Sequence, residues 1–493
     1  MSARCVMVLG TTSNAGKSWL ATALCRWYAR RGLKVAPFKA QNMSNNARVV
    51  PAPDGGHGGE IGSAQYFQAL AARRTPELRM NPVLLKPERD TASQVIVLGR
   101  VRPDLAAVPW HQRSAVLAPL ALDALQSLRA ENELLVIEGA GSPAEINLQH
   151  SDYVNLGTAR AAQAACLVVA DIDRGGAFAH LYGTHCMLPP DVRGQVRGFV
   201  LNRFRGDASL LAPAPAQLQA MTGVPTIGVL PMWREHGLPE EDGVLDERAP
   251  PAGATAQRIA IVAYPRISNL DEFEPLRRLP GVRLDWVRTP QELASADGIV
   301  LPGSKHTSGD LAWLHAQGLA DAIRAHAARG GRVLGICGGL QMLGQALHDP
   351  DGVDGAARGL GLLPLQTTFS ADKLVQQTAA RFGALPAPWS ALAQLQLGGY
   401  EIRHGRSSTT TTTALAAGAG VQVALRNADG EAIGWQAGSV LGVYLHGLFE
   451  NPAALHALFG QATRPLDAMF DGLADFIDTH LDTGALMALL DPP

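Results

Sequence analysis

Cysteine is scarce in this chain, five residues in 493. They stand at Cys5, Cys25, Cys166, Cys186 and Cys337, with no C-x-x-C pair and no repeated spacing. Such a set indicates neither a zinc site nor a disulfide framework. Excess charge of one sign is lacking too: 42 basic against 44 acidic side chains leave a formal net charge of −2. With that balance nothing points to a binder of nucleic acid or of a membrane surface. No stretch approaches the roughly 20 apolar residues that span a bilayer. The start, MSARCVMVLGTTSNAGKS, is unlike a signal peptide, because its apolar run is short and breaks at Gly10. A soluble, cytoplasmic protein is therefore expected. With 17% charged and 47% hydrophobic residues, the chain fits a packed globular protein and not a disordered one. Its length exceeds one core, so two domains of roughly 200–250 residues are expected.

The first half alternates β-branched runs with helix-like segments. VMVL (6–9), KVAPF (34–38), LLVIE (134–138), CLVVAD (166–171), VRGFVLN (196–202) and TIGVLP (226–231) read as strands. This alternation predicts βαβ units and a mainly parallel, doubly wound sheet. A polar, Pro- and Gly-rich stretch (233–257) reads as a linker, which divides the chain into domains at 1–232 and 258–493. A second α/β series follows in RIAIVAY (258–264), VRLDWV (282–287), GIVLPG (298–303) and RVLGIC (332–337). SSTTTTT (407–413) lacks apolar periodicity and reads as a surface loop. As a buried strand it would place hydroxyls on both faces.

Two motifs carry chemistry. In the first, strand VMVL runs into Gly10-Thr-Thr-Ser-Asn-Ala-Gly16-Lys17-Ser18 and then a helix-like segment. A glycine-rich turn between strand and helix lets backbone N–H groups and the helix N-terminus surround phosphates. Gly10, Thr12, Asn14, Gly16, Lys17 and Ser18 are the candidate nucleotide-binding residues. Lys17 would reach the β/γ-phosphates and the Ser18 hydroxyl would ligate Mg²⁺. Five residues separate the glycines where the standard P-loop has four, so the match is to a longer variant. Glu138, at a neighbouring strand end, is the candidate metal carboxylate. Asp171 and Asp173 are further candidates, or else cap the turn that follows them.

In the second motif, strand RVLGI leads into Gly335-Ile336-Cys337-Gly338-Gly339 and a helix-like LQMLGQAL. This G-x-C-x-G turn is a nucleophile elbow whose small neighbours permit a strained, exposed nucleophile. A thiol at a helix N-terminus ionises more readily, and the thiolate is the reactive form. The Gly338 N–H is placed to stabilise an oxyanion, and LPGSKHT (301–307) offers a second backbone donor near Gly303. His446, ending the apolar strand SVLGVYLHG, is the candidate base. His306, His348 and His404 are lesser candidates. Cys5, Cys25 and Cys166 lie in apolar runs and read as small buried hydrophobes.

LGICGGLQMLG followed by VYLHGLF resembles the class I glutamine amidotransferases, in the variant branch found in cobalamin-pathway amidases. Most class I enzymes carry a Glu two residues after the His. Here that position is Leu448, and Glu450 lies four residues on, which resembles the cobalamin branch, where a Cys–His dyad suffices, and leaves the group that orients His446 unassigned. The N-terminal half resembles the P-loop fold of dethiobiotin synthetase, whose loop also has five residues between its glycines. KAQNMSNNARVV (39–50), GGEIGSAQYFQALAA (58–72), MNPVLLKP (80–87), SQVIVLG (93–99), VIEGAGSPAEINL (136–148), VLNRFRGD (200–207), ISNLDEFEPL (267–276) and GGYEIRHG (398–405) resemble blocks of the cobalamin-pathway amidotransferase family across nearly the whole chain. His404 and the stretched PAPDGGHGGE depart from them locally.

The resemblance implies a doubly wound parallel sheet followed by a class I amidotransferase-like α/β domain. It also implies a reaction: ammonia freed from glutamine at Cys337 amidates corrinoid carboxylates activated by ATP and Mg²⁺. The acceptor it implies is adenosylcobyrinic a,c-diamide, amidated at its b, d, e and g carboxylates. It further implies Glu60 beside Ser18 and Glu138 at the metal, Asn202 at the adenine, and Lys39, Gln41 and Asn42 at the substrate. An a,c-diamide synthase is the nearest rival, disfavoured by QNMSNN and TTSNAGKS. A partition-type ATPase with an inactive amidotransferase domain would carry a lysine early in the loop, and 11–15 hold none. A glutaminase with a regulatory nucleotide domain is a third reading.

Overall fold

The computed structural model describes residues 2–52, 58–89, 92–106, 108–239, 257–410, 420–461 and 463–491. It divides into two compact units. The first comprises Met1–Ser44, Glu60–Asp242 and Arg464–Pro493, and the second Asn45–Gly59 and Gly243–Thr463.

In the first unit all six expected strands are present and form one parallel sheet. Its order is Thr226–Pro231, Val196–Phe204, Ala165–Asp171, Arg4–Gly10, Leu134–Glu138, Val35–Phe38. Arg4–Gly10 shows why both faces are covered. Cys5, Met7 and Leu9 enter one core with Leu117, Ala121 and Leu125 of the helix Trp110–Glu131. Val6 and Val8, pointing the other way, enter a second core with Leu20, Leu24 and Trp27 of the helix Lys17–Arg30. Side chains alternate across a strand, so a run apolar at every position demands cover on both faces. The crossover from the strand pair on one side of Arg4–Gly10 to those on the other side opens a crevice at the strand C-termini. Gly10, Glu138, Asp171 and Asn202 all stand at that end.

The C-terminal residues return to this unit, although the sequence division at 233–257 assigns them to the second domain. The helix Leu466–His480 buries Met469, Phe470, Leu473, Ala474 and Ile477, an i, i+1, i+4, i+5, i+8 stripe at helical period. It docks on Lys17–Arg30 through the Trp27 indole N–H, which donates to Asp478 Oδ1 at 2.6 Å, and through the Arg26–Asp467 ion pair. The Tyr28 hydroxyl donates to Leu486 O at 2.7 Å. Fully burying each such side chain contributes roughly 1.5–3 kcal/mol, so the stripe has a strong reason to find cover. Of the expected linker, 240–256 lie outside the described residues, as do 53–57 of the stretched PAPDGGHGGE.

The second unit holds an 11-stranded mixed sheet. A run of neighbouring strands is mutually parallel: Val282–Val287, Gln257–Val262, Gly298–Leu301, Arg332–Ile336 and Val440–Val443. Antiparallel strands continue it, including Ala432–Ala437, Gln422–Asn427 and the long pair Leu365–Phe382 and Gln396–Thr409. The surface-loop expectation for 407–413 needs correction. Ser407–Thr409 end a strand and pair with Leu365–Thr367. The Ser407 hydroxyl meets Thr367 Oγ1 and the Tyr444 hydroxyl, each at 2.6 Å, and Ser408 and Thr409 are exposed, so this strand end does not bury a run of unpaired hydroxyls. Residues 411–413 lie outside the described residues.

Candidate active site

Each unit gathers one set of functional side chains. In the first, the loop after Arg4–Gly10 closes on itself. Asn14 and Gly16 have positive φ, 58° and 102°. At Gly16 a Cβ would also lie 2.0 Å from Asn202 Nδ2, so glycine is required there for both conformation and space. Lys17 Nζ donates to Thr12 O and Gly141 O, both at 2.9 Å. A polyanion entering the loop would take over these donors. Asn202, the expected adenine reader, donates through Nδ2 to Ala15 O at 3.0 Å and so props the loop from beneath.

Glu138 is the hub of this site and is 1% exposed. Its Oε1 accepts from the Ser18 hydroxyl and from Lys39 Nζ, each at 2.8 Å. Its Oε2 accepts from Gln68 at 2.5 Å and Gln65 at 3.3 Å. Burial pushes the carboxyl pKa up, but the Lys39 charge and the hydrogen bonds from Lys39, Gln68 and Ser18 hold it below the ordinary range. Gln41 Oε1 accepts from the Tyr153 hydroxyl at 2.6 Å, and Asn42 Nδ2 donates to Gln65 Oε1 at 3.3 Å. The hydroxyl and carboxylate of Ser18 and Glu138 are hard oxygen donors that fit Mg²⁺, an ion that fills its remaining positions with water and phosphate. Among the described residues no group of three His, Cys, Asp or Glu could hold a metal unaided. Glu60 is paired with Lys86 Nζ at 2.6 Å. Asp171 accepts the Asp173 N–H at 3.0 Å and pairs with Arg203, and Asp173 pairs with Arg205. The turn-capping reading fits Asp171, while Asp173 is held by an ion pair.

In the second unit the strand Arg332–Ile336 ends at Cys337, whose φ of 50° and ψ of −104° are those of a strained elbow. Small neighbours make room for the turn: a Cβ on Gly339 would stand 1.9 Å from Leu301 O. The Cβ position of Gly338 is 2.8 Å from Ser304 N, so the backbone of 303–304 lies directly against the helix start. Ser304 is held there by Asp310, which accepts its hydroxyl at 2.6 Å. Burial raises the Asp310 pKa to about 6. Gly303 itself lies against the imidazole, with its Cβ position 2.9 Å from His446 Cε1.

His446 is 1% exposed and held on three sides. Its backbone exchanges hydrogen bonds with Tyr400, whose ring stacks on the imidazole at 5.2 Å between centroids. Its Nδ1 lies 3.1 Å from Glu272 Oε1, while Glu272 Oε2 accepts the Gly447 N–H at 3.1 Å. Burial alone would lower the ring's pKa, but the charges of Glu272 and Cys337 and their hydrogen bonds raise it from 6.5 to about 10. The arrangement favours the protonated, imidazolium form of His446. Glu272 is the orienting group that reading the sequence left unassigned. It stands far upstream of His446, and its only sequence signal is its place in ISNLDEFEPL. The lesser histidine candidates have other neighbours: His306 faces Asp354 at 3.3 Å and His404 Nδ1 meets Ser370 O at 3.0 Å, while His348 is exposed on the strand Ala346–His348.

Comparison with known proteins agrees with this division. Residues 6–240 match the CobQ/CobB/MinD/ParA nucleotide binding domain, and 258–454 match the CobB/CobQ-like glutamine amidotransferase domain. A cobyric acid synthase from Methylibium petroleiphilum is 68% identical, covering 99% of this chain and 97% of that one. One from Variovorax paradoxus is 65% identical over 99% and 100%, and one from Leptothrix cholodnii 66% over 99% and 98%. With likeness at this level along the whole length, the chain belongs to the cobyric acid synthase family.

Proposed function

We propose that this chain amidates the b, d, e and g carboxylates of adenosylcobyrinic a,c-diamide, with ammonia drawn from glutamine and with ATP activating each carboxylate. The observation that carries this reading is Cys337 in a strained elbow, in one unit with a buried His446 oriented by Glu272. In the glutaminase reaction the Cys337 thiolate attacks the side-chain amide carbon of glutamine. The Gly338 N–H and the 303–304 backbone stabilise the oxyanion. His446 gives its Nε2 proton to the departing nitrogen, ammonia leaves, and a glutamyl thioester remains. Water, deprotonated by His446, then releases glutamate.

In the first unit a corrinoid carboxylate oxygen attacks the γ-phosphorus of ATP and ADP departs. Ammonia attacks the resulting acyl phosphate and phosphate leaves. Lys17 meets the β/γ-phosphates, Lys39 the carboxylate or the transferred phosphoryl group, and Gln41 and Asn42 the corrinoid. Mg²⁺, held by Ser18 and Glu138, would neutralise phosphate charge; Glu60 joins that set only by giving up Lys86. Asn202 reads the adenine while it supports the loop.

Lys17→Ala tests the nucleotide site. Amide synthesis should fall by about 10²–10³-fold, the cost of removing one preorganised charge donor, while glutamate release from glutamine persists. Near-normal synthesis would remove residues 10–18 from the phosphate role. Glu138→Gln keeps the shape but removes the charge that both Mg²⁺ and Lys39 meet. ATP-dependent turnover should drop sharply, with only partial recovery in a titration to high Mg²⁺. An unchanged Mg²⁺ dependence would reassign Glu138 as structural.

A further inference from the structure

The glutamine chemistry above leaves a buried cationic cluster in the second unit unused. The Arg48 side chain is 2% exposed and pairs with Asp271 on one side and with Glu450, at 2.5 Å, on the other. Its guanidinium carbon lies 5.3 Å from the centre of the Tyr400 ring. Each of these partners stands one step from His446. Asp271 precedes Glu272, which holds His446 Nδ1 and the Gly447 N–H. Glu450 ends the short 3₁₀ turn Leu448–Glu450, and its own N–H donates to Gly447 O at 3.0 Å. Tyr400 stacks on the imidazole.

The neighbours of Arg48 hold the same parts. Asn46 Oδ1 accepts the Leu270 N–H at 2.8 Å. Asn269 Nδ2 donates to Ala47 O at 3.2 Å and to the Tyr400 hydroxyl at 2.7 Å. One short segment thus fixes the turn bearing Glu272, the turn after His446 and the ring beneath it.

We propose that Arg48 is a positioning residue for glutamine hydrolysis, clamping Glu272 and Tyr400 onto His446. The proposal rests on the assignment of Cys337 and His446 to that reaction. Stability alone is a poor reason for such a cluster, because well-packed apolar side chains often replace buried ion pairs at no loss. Geometry is a better one: a catalytic base displaced by about 1 Å costs on the order of 100-fold in rate. Arg48 stands six residues after Asn42, so the N-terminal half of the polypeptide supplies a residue on which the glutaminase depends.

The test is Arg48→Met, which keeps length and loses charge, assayed for glutamate release and for amidation driven by ammonium salt. The expected result is a glutaminase kcat lower by about 100-fold at little-changed glutamine KM, with ammonium-driven amidation retained. An unchanged kcat overturns the proposal. Should the variant lose both activities and its melting temperature together, Glu450→Gln, which leaves the Arg48–Asp271 pair, is read in the same assays. A lower glutaminase kcat with intact ammonium-driven amidation then supports the clamp, and an unchanged kcat overturns it. A wild-type chain that releases no glutamate overturns the underlying assignment instead, so the two failures are separable.

Discussion

Cys337→Ala is expected to abolish glutamine-dependent amidation while leaving amidation driven by ammonium salt at raised pH, where free ammonia is available. The reason is chemical separation. On the proposed mechanism the thiol forms and breaks the glutamyl thioester, and the acyl phosphate forms with other groups, Lys17, Lys39 and Glu138. An acyl phosphate does not distinguish ammonia made by the enzyme from ammonia supplied by solvent. Assaying amide product with glutamine and with ammonium in parallel checks this directly. His446→Ala should follow the same pattern with some residual hydrolysis, since a thiolate attacks without its base at a reduced rate. A folded, ATP-binding Cys337→Ala protein that makes no amide from ammonia would contradict two cooperating sites. Full glutamine-dependent activity would leave the elbow without a catalytic role.

Glu272→Gln carries the second large effect. Removing the orienting carboxylate from a His-centred triad costs about 10⁴-fold in kcat where it has been measured, through loss of the correct tautomer, and a loss of that order is expected here. Gln keeps the size of the side chain but can turn its amide N–H toward Nδ1. Nε2 would then carry the proton at the wrong stage. The variant should also change the pH profile. His446 is faced by Glu272, Cys337 and Tyr400, with Arg48 and Glu450 behind them. Burial lowers its pKa, and Glu272 and Cys337 raise it to about 10. Without Glu272 the ring loses its proton at a lower pH, so the alkaline limb of the glutaminase profile should move to lower pH. A profile and kcat equal to wild type would reduce Glu272 to a structural partner of Gly447.

What the sequence disclosed was what local chemistry decides. A strand, a glycine-rich turn and a helix start, read in order, place Lys17 and Ser18 at a sheet end and Cys337 at an elbow. The central parallel strands, such as Arg4–Gly10, Leu134–Glu138 and Ala165–Asp171, were legible because, buried on both faces, they read as nearly unbroken apolar runs. The long strands Leu365–Phe382 and Gln396–Thr409 were not read as strands. Both mix buried with exposed positions instead of running apolar throughout, and they are rich in Thr, Gln, Gly and Ser, whose polar groups are satisfied only once the partner strand is in place. Glu272 and Arg48 escaped for a different reason. A carboxylate that orients a histidine is defined by where the chain brings it, and neither spacing nor composition encodes that encounter. The stripe of Leu466–His480 marks a helix, but not that it docks on Trp27. Asn202 shows a further limit: an amide at a strand end serves a ligand or the loop beside it equally well, and here it meets Ala15 O.

The central claim is that one chain moves the amide nitrogen of glutamine onto a corrinoid carboxylate at the expense of ATP. Mass spectrometry of the corrinoid product, after incubation of adenosylcobyrinic a,c-diamide with the protein, ATP, Mg²⁺ and glutamine labelled with ¹⁵N in its side-chain amide, tests it most directly. The account predicts four new amides, each carrying ¹⁵N, and none when ATP is withheld. An unmodified corrinoid despite glutamate release, or amides formed without ATP, would contradict it.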